Sequence, residues 1–337
     1  MSTAPKMKIE TTDYHTAGEP FRIVTGGVPD IPGARILDKR RFARENLDDI
    51  RKLLVFEPRG HADMYGCFVV EPEDDEGDLG VLFFHNDGYS TACGHGTIGL
   101  VTWAVESGRI AAVEPETRVV VDAPSGRLET FARVEGGDVK SVRFRNVPSF
   151  VFEVGMELKV DDRVIPCDIS YGGAFYASVD AEALGLTVTP DNLEAFIRMG
   201  RQIKLAIENE RDVVHPEEPE LRDVYGVIFF ETLESGPVLV QRNVTIFADG
   251  EVDRSPCGSG TSARLALLDA SGTLPRGEEL QHHGIVGTVF SGKVTGDSPI
   301  GSMQAVITEV EGTAHRTGTH VFELEVQDDL GTGFLLR

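Results

Sequence analysis

The chain reads as a mixed α/β protein built from two similar halves, and three observations predict this. A cysteine-glycine turn is spelled twice, as Cys93-Gly94-His95-Gly96-Thr97 and Cys257-Gly258-Ser259-Gly260-Thr261, 164 residues apart. Each copy runs into a helical segment, 98–106 and 262–270, that closes on Ser107-Gly108 or Ser271-Gly272. The same offset aligns Phe83 with Phe247, and Ala123-Pro124-Ser125-Gly126-Arg127-Leu128 has a counterpart in 284–289. At 337 residues the chain is too long for one small core and suits two domains. The halves are taken as 1–155, carrying Cys93, and 160–315, carrying Cys257, with 318–337 returning to the first.

Taken in order, 9–14 and 21–25 are expected strands on either side of His15-Thr16-Ala17-Gly18-Glu19-Pro20, and 29–33 is a loop. Residues 36–54 place Leu37, Phe42, Leu47, Ile50 and Leu53 or Leu54 on one stripe, which predicts a helix. Pro58-Arg59-Gly60 breaks it. Strands at 64–70 and 79–85 flank an acidic loop, and the second leads into the first thiol turn. Runs at 118–122, 128–134 and 139–144 are strands joined by glycine-bearing turns, and 147–154 adds another, with Pro148 marking an edge. The charged, aperiodic stretch 155–164 reads as the boundary between halves.

The second half opens with a strand at 164–170 and then Tyr171-Gly172-Gly173-Ala174-Phe175-Tyr176-Ala177. Residues 192–209 carry Leu193, Phe196, Ile197, Ile203 and Ile207 on one side, an amphipathic helix. Strands at 224–232 and 243–247 lead to the second thiol turn, and others follow at 284–294, 303–310 and 320–326. The last is expected to stitch the halves together.

Composition narrows the function. Net charge is −23, from 55 acidic against 32 basic residues, which disfavours nucleic acid and anionic membrane surfaces as partners. No apolar run approaches the ~20 residues of a spanning helix, and the first eight residues lack a signal-peptide core. Four cysteines without a Cys-x-x-Cys do not make a disulfide scaffold, so a reducing cytoplasm is the expected compartment.

The repeated turn carries the chemistry. Helix N-termini offer unpaired N–H groups and partial positive charge, so each copy attracts a carboxylate. A cysteine placed there is expected to have a depressed pKa and a usable thiolate fraction. Two such ends facing each other would make a carboxylate clamp flanked by two thiols. One Cys-Gly pair alone would read as an inert packing residue; a mirror copy argues otherwise.

Metal is disfavoured, because Cys93-x-His95 meets Ser259 at the matching position and no second cluster has zinc spacing. A cysteine hydrolase needs a single thiol with a histidine partner and leaves the other thiol unexplained. Cys67 and Cys167 sit in apolar strand-like runs and read as packing residues. His95 lies beside the ligand end of its helix as a polar contact, and Asp253 is an anion able to hold a substrate ammonium. Most of the remaining histidines, His85 among those scattered along the chain, read as structural or exposed.

These motifs, with Glu57-Pro58-Arg59-Gly60-His61, Asp63-Met64-Tyr65-Gly66, Asp168-Ile169-Ser170-Tyr171-Gly172-Gly173 and Asp253-Arg254-Ser255-Pro256, resemble the proline racemase family over nearly the whole chain. That family includes hydroxyproline 2-epimerases and trans-3-hydroxyproline dehydratases. The resemblance implies a fold similar to diaminopimelate epimerase: two pseudo-symmetric α/β domains, each a sheet wrapped around a central helix, with the active site in the cleft between them. By position it implies Cys93 and Cys257 as the acid/base pair. The amides of Gly94, His95, Gly258 and Ser259 would hold the substrate carboxylate. His95 and Asp253 would lie by the ring nitrogen, and Tyr65 and Phe247 would wall the ring.

The implied activity is cofactor-independent, two-base racemisation or 2-epimerisation of proline or a hydroxyproline, needing neither pyridoxal phosphate nor metal. The partner is a small imino acid, and a homodimer is left open. Dehydration of trans-3-hydroxy-L-proline is the alternative. The family's dehydratases typically carry Thr where this chain has Cys257, which argues against it. Tyr65 in place of the racemases' Phe and the run Tyr89-Ser90-Thr91 lean toward it, and Ala92 departs from the usual Met. An inactive amino-acid-binding protein is a third reading, opposed by two intact thiols.

Overall fold

The computed structural model describes residues 7–235 and 238–336. The first lobe runs β1 (Met7–Thr16), β2 (Glu19–Gly26), α1 (Ile36–Asn46), α2 (Asp48–Val55), β3 (Tyr65–Val70), β4 (Leu79–His85), α3 (Gly94–Glu106), β5 (Glu116–Ala123), β6 (Gly126–Glu135) and β7 (Asp138–Arg145). The second runs β8 (Ser149–Val160), β9 (Arg163–Tyr171), β10 (Phe175–Asp180), α4 (Leu193–Glu210), β11 (Val224–Glu234), β12 (Val238–Phe247), β13 (Glu251–Asp253), α5 (Gly258–Ala270), β14 (Glu279–His283) and β15 (Val289–Asp297). Two strands finish the chain, β16 (Ala305–Gly312) and β17 (Ala314–Leu324).

The fold is mixed α/β and pseudo-symmetric, as the sequence predicts. In the first lobe β2 and β3 pair in parallel across the α1–α2 crossover, and β4 and β5 across α3. In the second, β10 and β11 pair in parallel across α4, and β12 and β14 across α5. Strand curls around helix in both. β1, β2, β6, β7, β16 and β17 pack on α3, while β8, β9, β10, β15 and β16 pack on α5. β16 closes both shells: Glu309–Gly312 pairs with β7 and Ala305–Val306 with β8. β17 then runs antiparallel to β1 along its whole length.

Enclosure explains the apolar patterns. α3 is buried from Gly94 to Val105 and α5 from Gly258 to Leu268, as expected for helices that are apolar all round. β4 shows no alternation because α3 covers one face and α1 and α2 the other, so all seven of its residues are buried.

Three segments differ from expectation. The single helix expected at 36–54 is two, broken at Leu47 (φ −122°, ψ 13°), where Asp48 begins a new first turn and pairs with Arg51 and Lys52 at 2.7 Å. The helices after the thiol turns begin at Gly94 and Gly258, four residues earlier than the apolar runs suggested, because glycines hide the periodicity. The aperiodic stretch 155–164 is the distal part of the β8–β9 hairpin, with bulges near Glu153 and a turn at Asp161 (φ 51°). The chain passes from β7 to β8 at 145–149, ahead of that stretch. Among the described residues no helix is long and apolar enough to cross a membrane.

The lobes meet where α3 and α5 begin. A Cβ added at Gly94 would overlap the Cα of Gly258, and one added at Gly258 would lie 2.7 Å from the Cα of Gly94. Only glycine permits this backbone contact. Gly94→Ala is expected to lower stability by roughly 1–3 kcal/mol through overpacking. Gly296→Ala, with open space around it, is expected to stay within about 0.5 kcal/mol of wild type. Thermal unfolding of the two variants checks this; equal midpoints would mean that the turns do not touch.

Candidate active site between two helix N-termini

Cys93 and Cys257 are the N-cap residues of α3 and α5. Because the helices meet end to end, both cysteines and the amides of Gly94, His95, Gly258 and Ser259 come together. None of those four N–H groups finds an acceptor among the described residues. The next glycine in each turn is also required. A Cβ at Gly96 would sit 2.7 Å from the Sγ of Cys93, and one at Gly260 would sit 2.9 Å from the Sγ of Cys257.

The two thiols are not equivalent. Cys93 is extended (φ −155°) and its Sγ accepts the Gly96 N–H at 3.1 Å. Cys257 has φ 63° and ψ 94°, a conformation that costs a non-glycine residue about 1–3 kcal/mol. Its Sγ faces the Tyr176 hydroxyl at 3.7 Å, and that hydroxyl bonds the Ser259 Oγ at 2.7 Å. The Sγ of Cys93 lies 3.5 Å from both ring nitrogens of His95.

The depressed thiol pKa expected from the helix ends is not found. Burial pushes both thiols above the ordinary cysteine value, and Asp253 raises them further; the Gly96 and Gly260 amides oppose this only partly. Loss of water around the thiolate outweighs the helix end, since these residues are about 5 and 6% exposed. Burial likewise holds His95 neutral, with its pKa lowered to about 3. Asp253 is pushed up to about 6 by burial, although Ser255 donates its N–H and hydroxyl to it at 2.8 and 2.7 Å.

An aromatic wall completes the pocket. The Tyr65 ring packs 4.8 Å from His95 and 5.9 Å from Phe247. Phe247 stacks on Tyr225 at 5.6 Å and meets His85 edge-on. Tyr65 bonds the Ser90 Oγ at 2.5 Å and the Tyr225 hydroxyl at 3.2 Å. Asp253 lies 3.9 Å from His95. Behind it, the buried Glu19 accepts the Arg254 N–H at 2.7 Å, and Arg254 reaches Asp63 at 2.9 Å, so acids from one lobe hold a loop of the other.

All the residues singled out from the sequence gather here: Cys93, Cys257, Gly94, His95, Gly258, Ser259, Asp253, Tyr65 and Phe247. Sequence reasoning missed Tyr176, Tyr225 and His85. His85, grouped with the structural or exposed histidines, is buried with its Nδ1 3.1 Å from Glu251. Its place at the end of β4, ahead of the thiol turn, was the available signal. Tyr176 stood in the quoted Tyr171–Ala177 run, but nothing local marked its side as inward. Cys67 and Cys167 are buried and free, in β3 and β9, away from the pair. Among the described residues no group of three or more His, Cys, Asp or Glu is arranged to hold a metal ion.

The family model described as proline racemase matches residues 11–335. The chain is 45% identical over 330 residues to a trans-3-hydroxy-L-proline dehydratase of Bacillus cereus, covering 98% of each chain. It is 46% identical over 332 residues to a 3-hydroxyproline 2-epimerase of Burkholderia multivorans, again covering 98% of each. Among solved structures, a hydroxyproline epimerase from Agrobacterium vitis with bound trans-4-hydroxy-L-proline superposes with a TM-score of 0.92 at 33% identity, over 98% of this chain and 96% of that one. Two enclosed helices meeting at paired cysteine-glycine turns, together with these likenesses along its length, show that the chain belongs to the proline racemase family.

Proposed function

We propose that the protein inverts the α-carbon of a 3-hydroxyproline, using Cys93 and Cys257 as acid and base on opposite faces of the ring. The observation that carries this reading is the pair of thiols at abutting helix N-termini, with four free amides between them. The substrate carboxylate would lie on those amides, where donors stabilise the charge that grows as Cα loses its proton. His95 and Asp253 would face the ring nitrogen, and Tyr65 and Phe247 would hold the ring. The choice of 3-hydroxyproline follows the 45–46% identity to proteins named for that substrate, against 33% for the 4-hydroxyproline-bound epimerase.

In the empty site the thiols are neutral, since burial and Asp253 both oppose a thiolate. The ring ammonium of the substrate would bring a compensating positive charge. One cysteine, as thiolate, takes the Cα proton; the opposite thiol delivers its own proton to the other face. Which cysteine is base depends on which epimer is bound.

Dehydration is the second reading. It is favoured by the hydroxyl chain Ser90–Tyr65–Tyr225 on the ring side of the pocket and by the dehydratase relative. There one thiolate removes the Cα proton, the 3-hydroxyl leaves as water with a proton from a neighbouring donor, and the resulting enamine tautomerises to a pyrroline carboxylate.

Incubation with 3-hydroxyproline in heavy water separates the two by NMR. Epimerisation yields the opposite epimer with deuterium at Cα; dehydration yields a pyrroline carboxylate. Cys93→Ser and Cys257→Ser are each expected to reduce inversion by at least roughly a thousandfold, and a variant that keeps substantial inversion would refute the two-base scheme.

The pH dependence has a definite sign. Deprotonation creates both the thiolate base and, above about pH 6, the Asp253 anion, so kcat/KM is expected to rise from pH 5 toward pH 9. Alkylation of Cys93 and Cys257 by iodoacetamide in the free protein should be slow at pH 7 and accelerate with pH. Fast modification at neutral pH would show that burial does not hold the thiols protonated.

A further inference from the structure

A cavity of about 520 Å³ opens between α1, α4 and the segment before β11. Its walls include Arg40, Arg44, Ser90, Lys204, Glu208 and Tyr225, and none of Cys93, Cys257, His95, Asp253 or Phe247. It is thus separate from the thiol pocket but shares a wall with it, since Tyr65 bonds Ser90 and Tyr225 from the other side. Its volume suits a small ligand.

The charges along this wall are unbalanced. Arg40 and Arg44 stand one turn apart on α1, where like charges repel. Most other charges at the cavity are engaged. Glu220 bonds Arg41 at 2.7 Å, Arg222 bonds Asp212 at 2.8 Å and lies 3.4 Å from Asp223, and Lys204 donates to the Ala248 carbonyl at 2.8 Å. Among the described residues neither Arg40 nor Arg44 forms an ion pair. Arg40 donates to the Tyr89 carbonyl at 2.5 Å, but its Nε is buried without an acceptor. Burial and the nearby Arg44 both press the Arg40 guanidinium below its ordinary value. Glu220 lies near enough to Arg40 to offset part of its charge but is bonded to Arg41, so in a chain of net charge −23 two guanidinium groups one turn apart leave an excess of positive charge that an anion would balance. Glu208, exposed on the same wall, offers the opposite charge that a zwitterion also needs.

We propose that this cavity is an antechamber in which Arg40 and Arg44 grip the carboxylate of the imino acid before it passes Ser90 and Tyr225 to the thiols. The substrate named rests on the reading given above. Guanidinium groups suit the task because their forked N–H donors match a carboxylate.

Arg44 is exposed, so Arg44→Gln should leave the packing intact; Arg40→Gln, with folding checked by circular dichroism, is the second variant. Each is expected to lower kcat/KM for 3-hydroxyproline roughly tenfold with kcat unchanged, the size of one lost charge-assisted contact. Calorimetric titration with sodium sulfate, an anion probe independent of turnover, is expected to show binding to wild type that weakens at least roughly tenfold in Arg44→Gln. Sulfate affinity that is the same in both proteins, or undetectable in wild type, overturns the proposal whatever the kinetics. Failure of the epimerase reading shows elsewhere, as no exchange at Cα in wild type, and leaves the sulfate result decisive for the cavity.

Discussion

Two helices press their N-terminal ends together at Gly94 and Gly258, and the rest of the molecule makes that contact tolerable. Each end carries roughly half a positive charge and unpaired N–H groups, so the ends repel when nothing lies between them. Strands enclose α3 and α5, and β16 pairs with strands of both shells. An anion set between the amides turns the repulsion into binding energy. Folding thus buries four N–H donors that secondary structure cannot satisfy.

The same enclosure sets the state of the thiols. Away from water, a helix end is not enough to ionise a cysteine, and the neighbouring Asp253 works against it. Low dielectric also strengthens every interaction a charged ligand makes on arrival. Burial thus holds both thiols protonated while leaving the neighbouring Asp253 able to ionise above about pH 6. The strained backbone at Cys257, beside an extended Cys93, shows that near-symmetry of sequence does not produce identical environments.

Contacts between lobes keep the halves in register around the pocket. Glu19 and Asp63 hold the Arg254 loop, and the Tyr65 hydroxyl reaches Tyr225 across the cleft. Each of these pairs is far apart in sequence, and Glu19, Asp63 and Tyr65 are themselves buried, where losing a hydrogen bond is costly.

Much of this was legible in the amino-acid order. The repeated Cys-Gly turn announced two halves and two thiols, because glycine spacing and helix-end chemistry are local. Amphipathic runs such as 192–209 announced their helices for the same reason. Other features had no local signature. Leu47 keeps the apolar stripe while breaking the helix, and 155–164 lacks periodicity yet belongs to a hairpin. Tyr176, Tyr225 and His85 became pocket residues only when distant strands turned them inward. Alone, the sequence determined which atoms could do chemistry; tertiary structure decided their charge state and their neighbours, because desolvation and contact are properties of the folded interior, not of the chain.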